Sequence, residues 1–188
     1  MDGKHLTTTG ATEIARLPPA AADDMRLTSA VAGLINDVYA VAEKGLWADG
    51  TSRTTAEEIT LLTRARQVAV ARVGGRIVGC IRVQQLGNGI GEFGMLAVDP
   101  SFRDMGVGRE MVRFAEEIAR KECCDIMQLE VLVPRDRSCF STEFLTGWYA
   151  RLGYKPVRTA AIEECYPDLS PFLIIPCHFV IHHKDLNG

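Results

Sequence analysis

The sequence predicts a single mixed α/β domain, and three observations carry that reading. Its 188 residues are the length of one domain. Apolar residues make up 47% and charged residues 24%, the balance of a chain that buries a core rather than staying disordered. Runs of two-residue period alternate with runs of three- and four-residue period, separated by Gly and Pro.

Taken in order, residues 1 to 11 are polar and aperiodic and read as a flexible tail ahead of a domain over 12–188. Thr12 to Leu17 predicts a short strand, stopped by Pro18-Pro19. From Thr28 to Lys44, Val31, Leu34, Ile35, Val38, Tyr39 and Ala42 lie on one helical face, with Thr28 or Ser29 as cap and Gly45 as stop. Leu46 to Arg53 reads as a loop. A second helix begins at Thr54 or Thr55, with Glu57 and Glu58 at its positive end, and runs to about Arg66. Gln67–Val73 and Arg76–Gln85 are β-branched runs joined by Gly74-Gly75, a hairpin signal. With Ile90–Val98 they predict an antiparallel meander. A helix from Gly106 to Lys121, a buried strand Ile126–Val133, a helix from Thr142 to Leu152 and strands near Val157–Glu163 and Leu173–His182 complete the order.

Composition excludes several classes of function. Lys and Arg total 21 against 24 Asp and Glu, a net charge of −3, so the footprint of a nucleic-acid binder is missing. No apolar run reaches the ~18 residues of a membrane span. Met1 to Gly10 has no apolar signal core, so a cytoplasmic protein without membrane partners is expected. The cysteines are Cys80, Cys123, Cys124, Cys139, Cys165 and Cys177. They form no C-x-x-C pair, so no metal is expected. Cys80, Cys123, Cys124 and Cys177 have apolar neighbours and read as buried, reduced thiols.

One stretch carries chemistry. After the strand ending Leu96-Ala97-Val98-Asp99-Pro100 comes Arg103-Asp104-Met105-Gly106-Val107-Gly108-Arg109, where Gly-x-Gly opens an amphipathic helix. Free N–H groups and the helix dipole favour an anion there, and a phosphate or pyrophosphate fits. Arg103 and Arg109 add charge-assisted donors. A P-loop is excluded because no Lys-Ser or Lys-Thr follows the glycines. The dinucleotide fingerprint fails because Met111 stands where its third glycine belongs.

Arg103-Asp104-Met105-Gly106-Val107-Gly108 resembles the R/Q-x-x-G-x-G/A signature of the GCN5-related N-acetyltransferases (GNAT). Trp148-Tyr149-Ala150-Arg151-Leu152-Gly153-Tyr154 resembles the family's aromatic-Tyr-x-x-x-Gly-aromatic helix ending. The resemblance covers roughly Thr12 to His182, most clearly Ile90 to Pro156. It implies a GNAT-like mixed sheet that splays between the strand ending near Val98 and the one starting near Ile126, with helices on both faces. It also implies acetyl-CoA as cosubstrate. Backbone at Leu96, Ala97 and Val98 would bond the pantetheine arm, and the Val98 N–H would stabilise the developing oxyanion. The amides of Arg103, Asp104, Met105, Gly106, Val107 and Gly108, with Arg109, would hold the pyrophosphate. Where many members carry Asn ahead of the helix Tyr, this chain has Thr142, the candidate for a further pantetheine contact.

By the same resemblance Tyr149 is the general acid and Glu92 the general base. Read from the sequence alone, Tyr149 also suits a core position and Glu92 a solvated strand start. Tyr39, Trp47 and Arg53 lie where the family shapes its acceptor site, and the Pro167–Pro171 loop is placed to cover it. Cys177 and His178 are adjacent on a strand, point to opposite faces, and are assigned no catalysis. The expected function is acetyl transfer from acetyl-CoA to a primary amine of a small molecule. A protein acceptor and a catalytically silent acyl-CoA sensor remain the alternatives. A homodimer paired through Leu173–His182 is a further expectation.

Overall fold

A computed structural model describes residues 11–136 and 140–188; residues 1–10 of the expected tail and Cys139 lie outside them. Seven strands form one sheet: β1 (Glu13–Arg16), β2 (Val68–Val73), β3 (Arg76–Gly87), β4 (Ile90–Val98), β5 (Ile126–Pro134), β6 (Lys155–Ala160) and β7 (Cys177–Asp185). Their order is β1-β2-β3-β4-β5-β7-β6. Only β4 and β5 are parallel, and they pair over three positions, Ile90 to Glu92 against Ile126 to Gln128, before separating.

The predicted hairpin forms with both Gly74 and Gly75 at positive φ, as its tight turn requires. Alternation along β2 divides the interior. Val68 and Val70 face α1 (Met25–Ala42) and α2 (Ala56–Arg64), while Ala69, Ala71 and Val73 face α3 (Val107–Lys121). Met111, Val112 and Ala115 of α3 and Val31, Ile35 and Ile59 of α1 and α2 fill these two cores. A smaller third core joins Leu46, Leu132, Ile162 and Phe179.

Several expectations are corrected. Helix α1 starts at Met25, because Asp24 accepts from the N–H groups of Arg26 and Leu27 at 3.0 and 3.1 Å. Thr28, expected as the cap, is buried within the helix and bonds back to Met25. The strand expected to reach Glu163 stops at Ala160. There the Glu164 carboxylate accepts the Ala161 N–H at 3.3 Å and helix α5 (Ile162–Cys165) begins. Strand β7 starts at Cys177 rather than Leu173, which instead bridges to Trp47. It lies between β5 and β6, so both its edges are taken and it cannot pair with a second copy; the sheet edges are β1 and β6. Cys123 is exposed, at positive φ in the turn after α3. Cys80 is buried as expected, and burial pushes its thiol up to about 12. Among the described residues no helix is long and apolar enough to cross a membrane.

One buried charge helps fasten α3 to the sheet. Glu116 accepts from Lys184 Nζ at 2.8 and 2.9 Å and from the Tyr154 hydroxyl at 2.9 Å. Lys184→Met would leave this carboxylate with Tyr154 and Arg120, the latter at 3.7 Å. The loss should be about 2 kcal/mol, or roughly 4–8 °C in Tm, read by thermal unfolding. An unchanged Tm would show that Tyr154 and Arg120 suffice.

Candidate active site

The turn between β4 and α3 leaves a row of backbone donors without acceptors among the described residues. Asp99 accepts the Ser101 N–H at 2.9 Å and pairs with Arg76, fixing the exit from β4. Asp104 and Gly106 then take positive φ, 63° and 84°, which turns the chain into the helix. Among the described residues no acceptor meets the N–H groups of Gly106, Val107, Gly108 or Arg109. These donors therefore stand ready at the positive end of a 15-residue helix. A Cβ built at Gly108 would lie 3.7 Å from Val98 and from the Trp148 indole, so turn, strand end and fourth helix converge here.

Strand β4 changes face at Met95. Phe93 packs in the α3 core, yet Ala97, four residues on, packs in the α1 core. Strict alternation would put both on one face; the bulge opposite Cys80–Arg82, with Met95 at φ 50°, resets the pleat. Beyond the bulge the Asp99 N–H bonds Val78 on β3. Successive strand amides point to opposite sides, so the Val98 N–H faces the gap where β5 has parted.

On the α1/α2 face that gap opens into a cavity of about 420 Å³. Glu92, Phe93, Gly94 and Met95 form one wall and Glu130 and Leu132 the other. Tyr39, Arg53 and the segment from Tyr166 to Leu169 close it. Glu92 is 8% exposed. Gln84 Nε2 donates to its Oε1 at 2.8 Å and Gln128 Nε2 to its Oε2 at 2.9 Å. Gln128 Oε1 in turn meets His183 Nε2 at 3.0 Å, so that ring nitrogen carries the proton when the amide is oriented this way. Gln84, Glu92, Gln128 and His183 are register partners across β3, β4, β5 and β7. The carboxylate is thus held from both sides by neutral donors.

Glu130 lies two residues beyond Gln128 on the same face. Burial raises its pKa, Glu92 pushes it further, and hydrogen bonds from Cys165 and Tyr166 oppose the rise. Arg53 stacks over Tyr39 and Trp47, at 5.2 and 4.9 Å from the ring centroids, and pairs with Glu43 at 3.4 Å. The Trp47 indole N–H donates to the same carboxylate at 2.6 Å.

Helix α4 (Phe140–Arg151) carries the other candidates. Tyr149 is buried against Phe93, Trp148 and Tyr154, with ring centroids 6.0, 4.9 and 6.0 Å away. Burial above all, and then the Tyr39 phenol, keep its pKa above the ordinary tyrosine value, so its proton is retained. Thr142 Oγ1 donates to the Leu132 carbonyl at 3.3 Å and keeps lone pairs free to accept.

The model of the acetyltransferase (GNAT) family matches residues 34–154. The chain belongs to this family. The solved structure of PaiA N-acetyltransferase from Thermoplasma acidophilum, in complex with coenzyme A, superposes with a TM-score of 0.67 at 14% identity, covering 93% of this chain and 99% of that one. The IAA acetyltransferase from Bacillus cereus gives 0.58 at 14%, over 93% and 99%. The ribosomal-protein-alanine N-acetyltransferase from Brucella melitensis gives 0.61 at 15%, over 92% and 99%. No curated protein matches the chain. The acceptors named for these GNAT structures differ, so the shared fold does not choose one.

Within this GNAT domain the structure brings Tyr39, Arg53 and Glu92 to one cavity, and the Pro167–Pro171 loop contributes Pro167, Asp168 and Leu169 to its rim. Trp47 stands behind Arg53, while Tyr149 lies in the core beyond Phe93. Leu96, Ala97 and Val98 run past the bulge to the turn of Arg103 to Arg109. Cys177 is buried and His178 only partly so, as opposite faces require. Sequence reasoning missed Glu130 and Tyr166. A signal for Glu130 existed: it shares parity with Gln128 in an otherwise apolar strand, the pattern of a polar row on one face. Among the described residues no group of three His, Cys, Asp or Glu side chains is placed to hold a metal.

Proposed function

We propose that this chain is an acetyl-CoA-dependent N-acetyltransferase acting on a primary amine of a small molecule. One observation carries the reading. The turn of free amides follows the C-terminal end of β4, and the carboxylate-lined cavity is walled by the middle of that same strand and by β5, from which β4 has parted. The amides of Arg103, Asp104, Met105, Gly106, Val107 and Gly108, with Arg109, suit the pyrophosphate. Backbone at Leu96, Ala97 and Val98 suits the pantetheine amides, and Thr142 Oγ1 offers one more acceptor. Bound there, acetyl-CoA supplies an acetyl group activated as a thioester. The Val98 N–H, aimed into the gap, is the donor for charge developing on the carbonyl oxygen. Glu92 takes the proton of the acceptor ammonium and Tyr149 returns one to sulfur.

A cavity of about 420 Å³ has the size of a small acceptor rather than of an extended polypeptide. One buried carboxylate, Glu92, and a half-buried one, Glu130, favour an enzyme over a silent acyl-CoA sensor, which gains nothing from the cost of burying them.

Two measurements test the proposal. Acetyl-CoA should raise Tm by mass action, by about 2.7 kcal/mol of stabilisation at a hundred times Kd. Gly108→Trp should abolish that rise with the fold intact, since a methyl at this position is tolerated but an indole fills the space beside Trp148 and Val98. An unchanged rise would displace the pyrophosphate from this turn. A screen of amines for CoA release supplies the second arm, and no release from any amine would leave only acyl-CoA binding.

A further inference from the structure

Five acidic side chains line the cavity, Glu43, Glu58, Glu92, Glu130 and Asp168, and the two on the β4 and β5 walls, Glu92 and Glu130, have no cation bonded to them among the described residues. Glu92 is met by the neutral amides of Gln84 and Gln128. The neutral Cys165 thiol and Tyr166 phenol hold the Glu130 pKa down against burial and the charge on Glu92. Among the described residues neither Glu92 nor Glu130 forms an ion pair. The nearby cations are engaged elsewhere. Arg53 pairs with Glu43 and covers two aromatic rings. Arg82 donates to Gln67 and Gln84, and Arg158, which faces Glu130 from β6, pairs with Glu164 at 3.8 Å. Glu58 and Asp168 add negative charge at the rim of the same cavity. Charges withdrawn from water need a counter-charge, and here the missing partner is a cation from outside the chain. The walls suit one, since Tyr39, Phe93, Tyr166 and Phe179 present aromatic surface to it.

We infer that Glu130 is a second acceptor-recognition residue, and that together with Glu92 it selects an aliphatic di- or polyamine while rejecting amines that carry a carboxylate. The inference rests on the N-acetyltransferase reading and names its acceptor class. One ammonium sits against the Glu92–Glu130 pair and passes its proton to Glu92. The other stays charged toward Glu58 and Asp168. An α-amino acid would bring its own carboxylate against this lining, and like charges in a confined site repel strongly. Glu130 binds and orients the acceptor; Glu92 alone takes the proton.

Cadaverine and L-lysine form the decisive probe pair, because they differ only by the carboxylate of lysine. Binding of each to protein saturated with CoA is measured by calorimetry, beside CoA release from acetyl-CoA. The wild type should bind cadaverine at least ~10-fold more tightly than lysine, about 1.4 kcal/mol. Glu130→Gln should raise the KM for cadaverine by roughly 10-fold or more, with a smaller change in kcat and no change in the acetyl-CoA Tm shift. The inference is overturned if lysine binds as well as cadaverine, if cadaverine does not bind, or if Glu130→Gln leaves its affinity unchanged. The wild-type comparison needs no variant and stands even if Glu130→Gln fails to fold. Selective cadaverine binding without CoA release would uphold the recognition and overturn the acetyl-transfer reading.

Discussion

Replacing Tyr149 by Phe should lower turnover by roughly 10²–10⁴-fold while leaving Tm and the acetyl-CoA shift close to those of the wild type. The ring contacts with Phe93, Trp148 and Tyr154 survive, because only the hydroxyl is lost. Burial first, and the Tyr39 phenol second, raise the Tyr149 pKa, so the group is protonated throughout the working range. The sign of the pH effect follows: Tyr149 should contribute no alkaline limb below pH ~10, the ordinary tyrosine value. Steady-state kinetics against pH on both proteins check this. Wild-type turnover in Tyr149→Phe would return the residue to a packing role.

Glu92→Gln should lower kcat/KM by roughly 10²–10³-fold, because the amide keeps the shape but cannot take the proton of an ammonium. The row of side chains across the sheet sharpens the test. Gln84 and Gln128 both donate to Glu92, so a Gln at this position confronts one of them with a second donor. The control is Tm, which should fall by no more than ~1–3 kcal/mol worth of stability. The pH profile also has a defined direction. Glu92 and Glu130 face one cavity, and the charge on Glu92 is one of the causes, after burial, that raise the Glu130 pKa. Removing that charge lowers the Glu130 pKa, so any acidic limb left in Glu92→Gln should move to lower pH. An unchanged limb and wild-type kcat would assign the proton to another group or to water.

Much of this molecule is legible from local pattern. The Gly74-Gly75 hairpin, the meander through Val98, the Gly106 entry to α3 and the amphipathic face of Met111, Val112 and Ala115 depend on turn chemistry and periodicity within a few residues. The family match over 34–154 agrees with the two motifs that announce it. Errors fell where local signals compete. Thr28 and Asp24 can both cap a helix, and only the packing of Thr28 inside the α1 core decides for Asp24. The last strand reads as an edge until β6 is seen paired along its far side.

By itself the sequence determined the fold class, the element order and the anion-ready turn, because these rest on contacts between neighbours in the chain. Tertiary structure alone decided what lines the cavity between β4 and β5. Gln84, Glu92, Gln128 and His183 are scattered over a hundred residues and become one hydrogen-bonded row only through strand register. Glu130 acquires its meaning from Glu92 on β4 and from Cys165 and Tyr166 at the end of α5, which line the same cavity. Register and burial are sums over the whole packed sheet, and no window of sequence contains them.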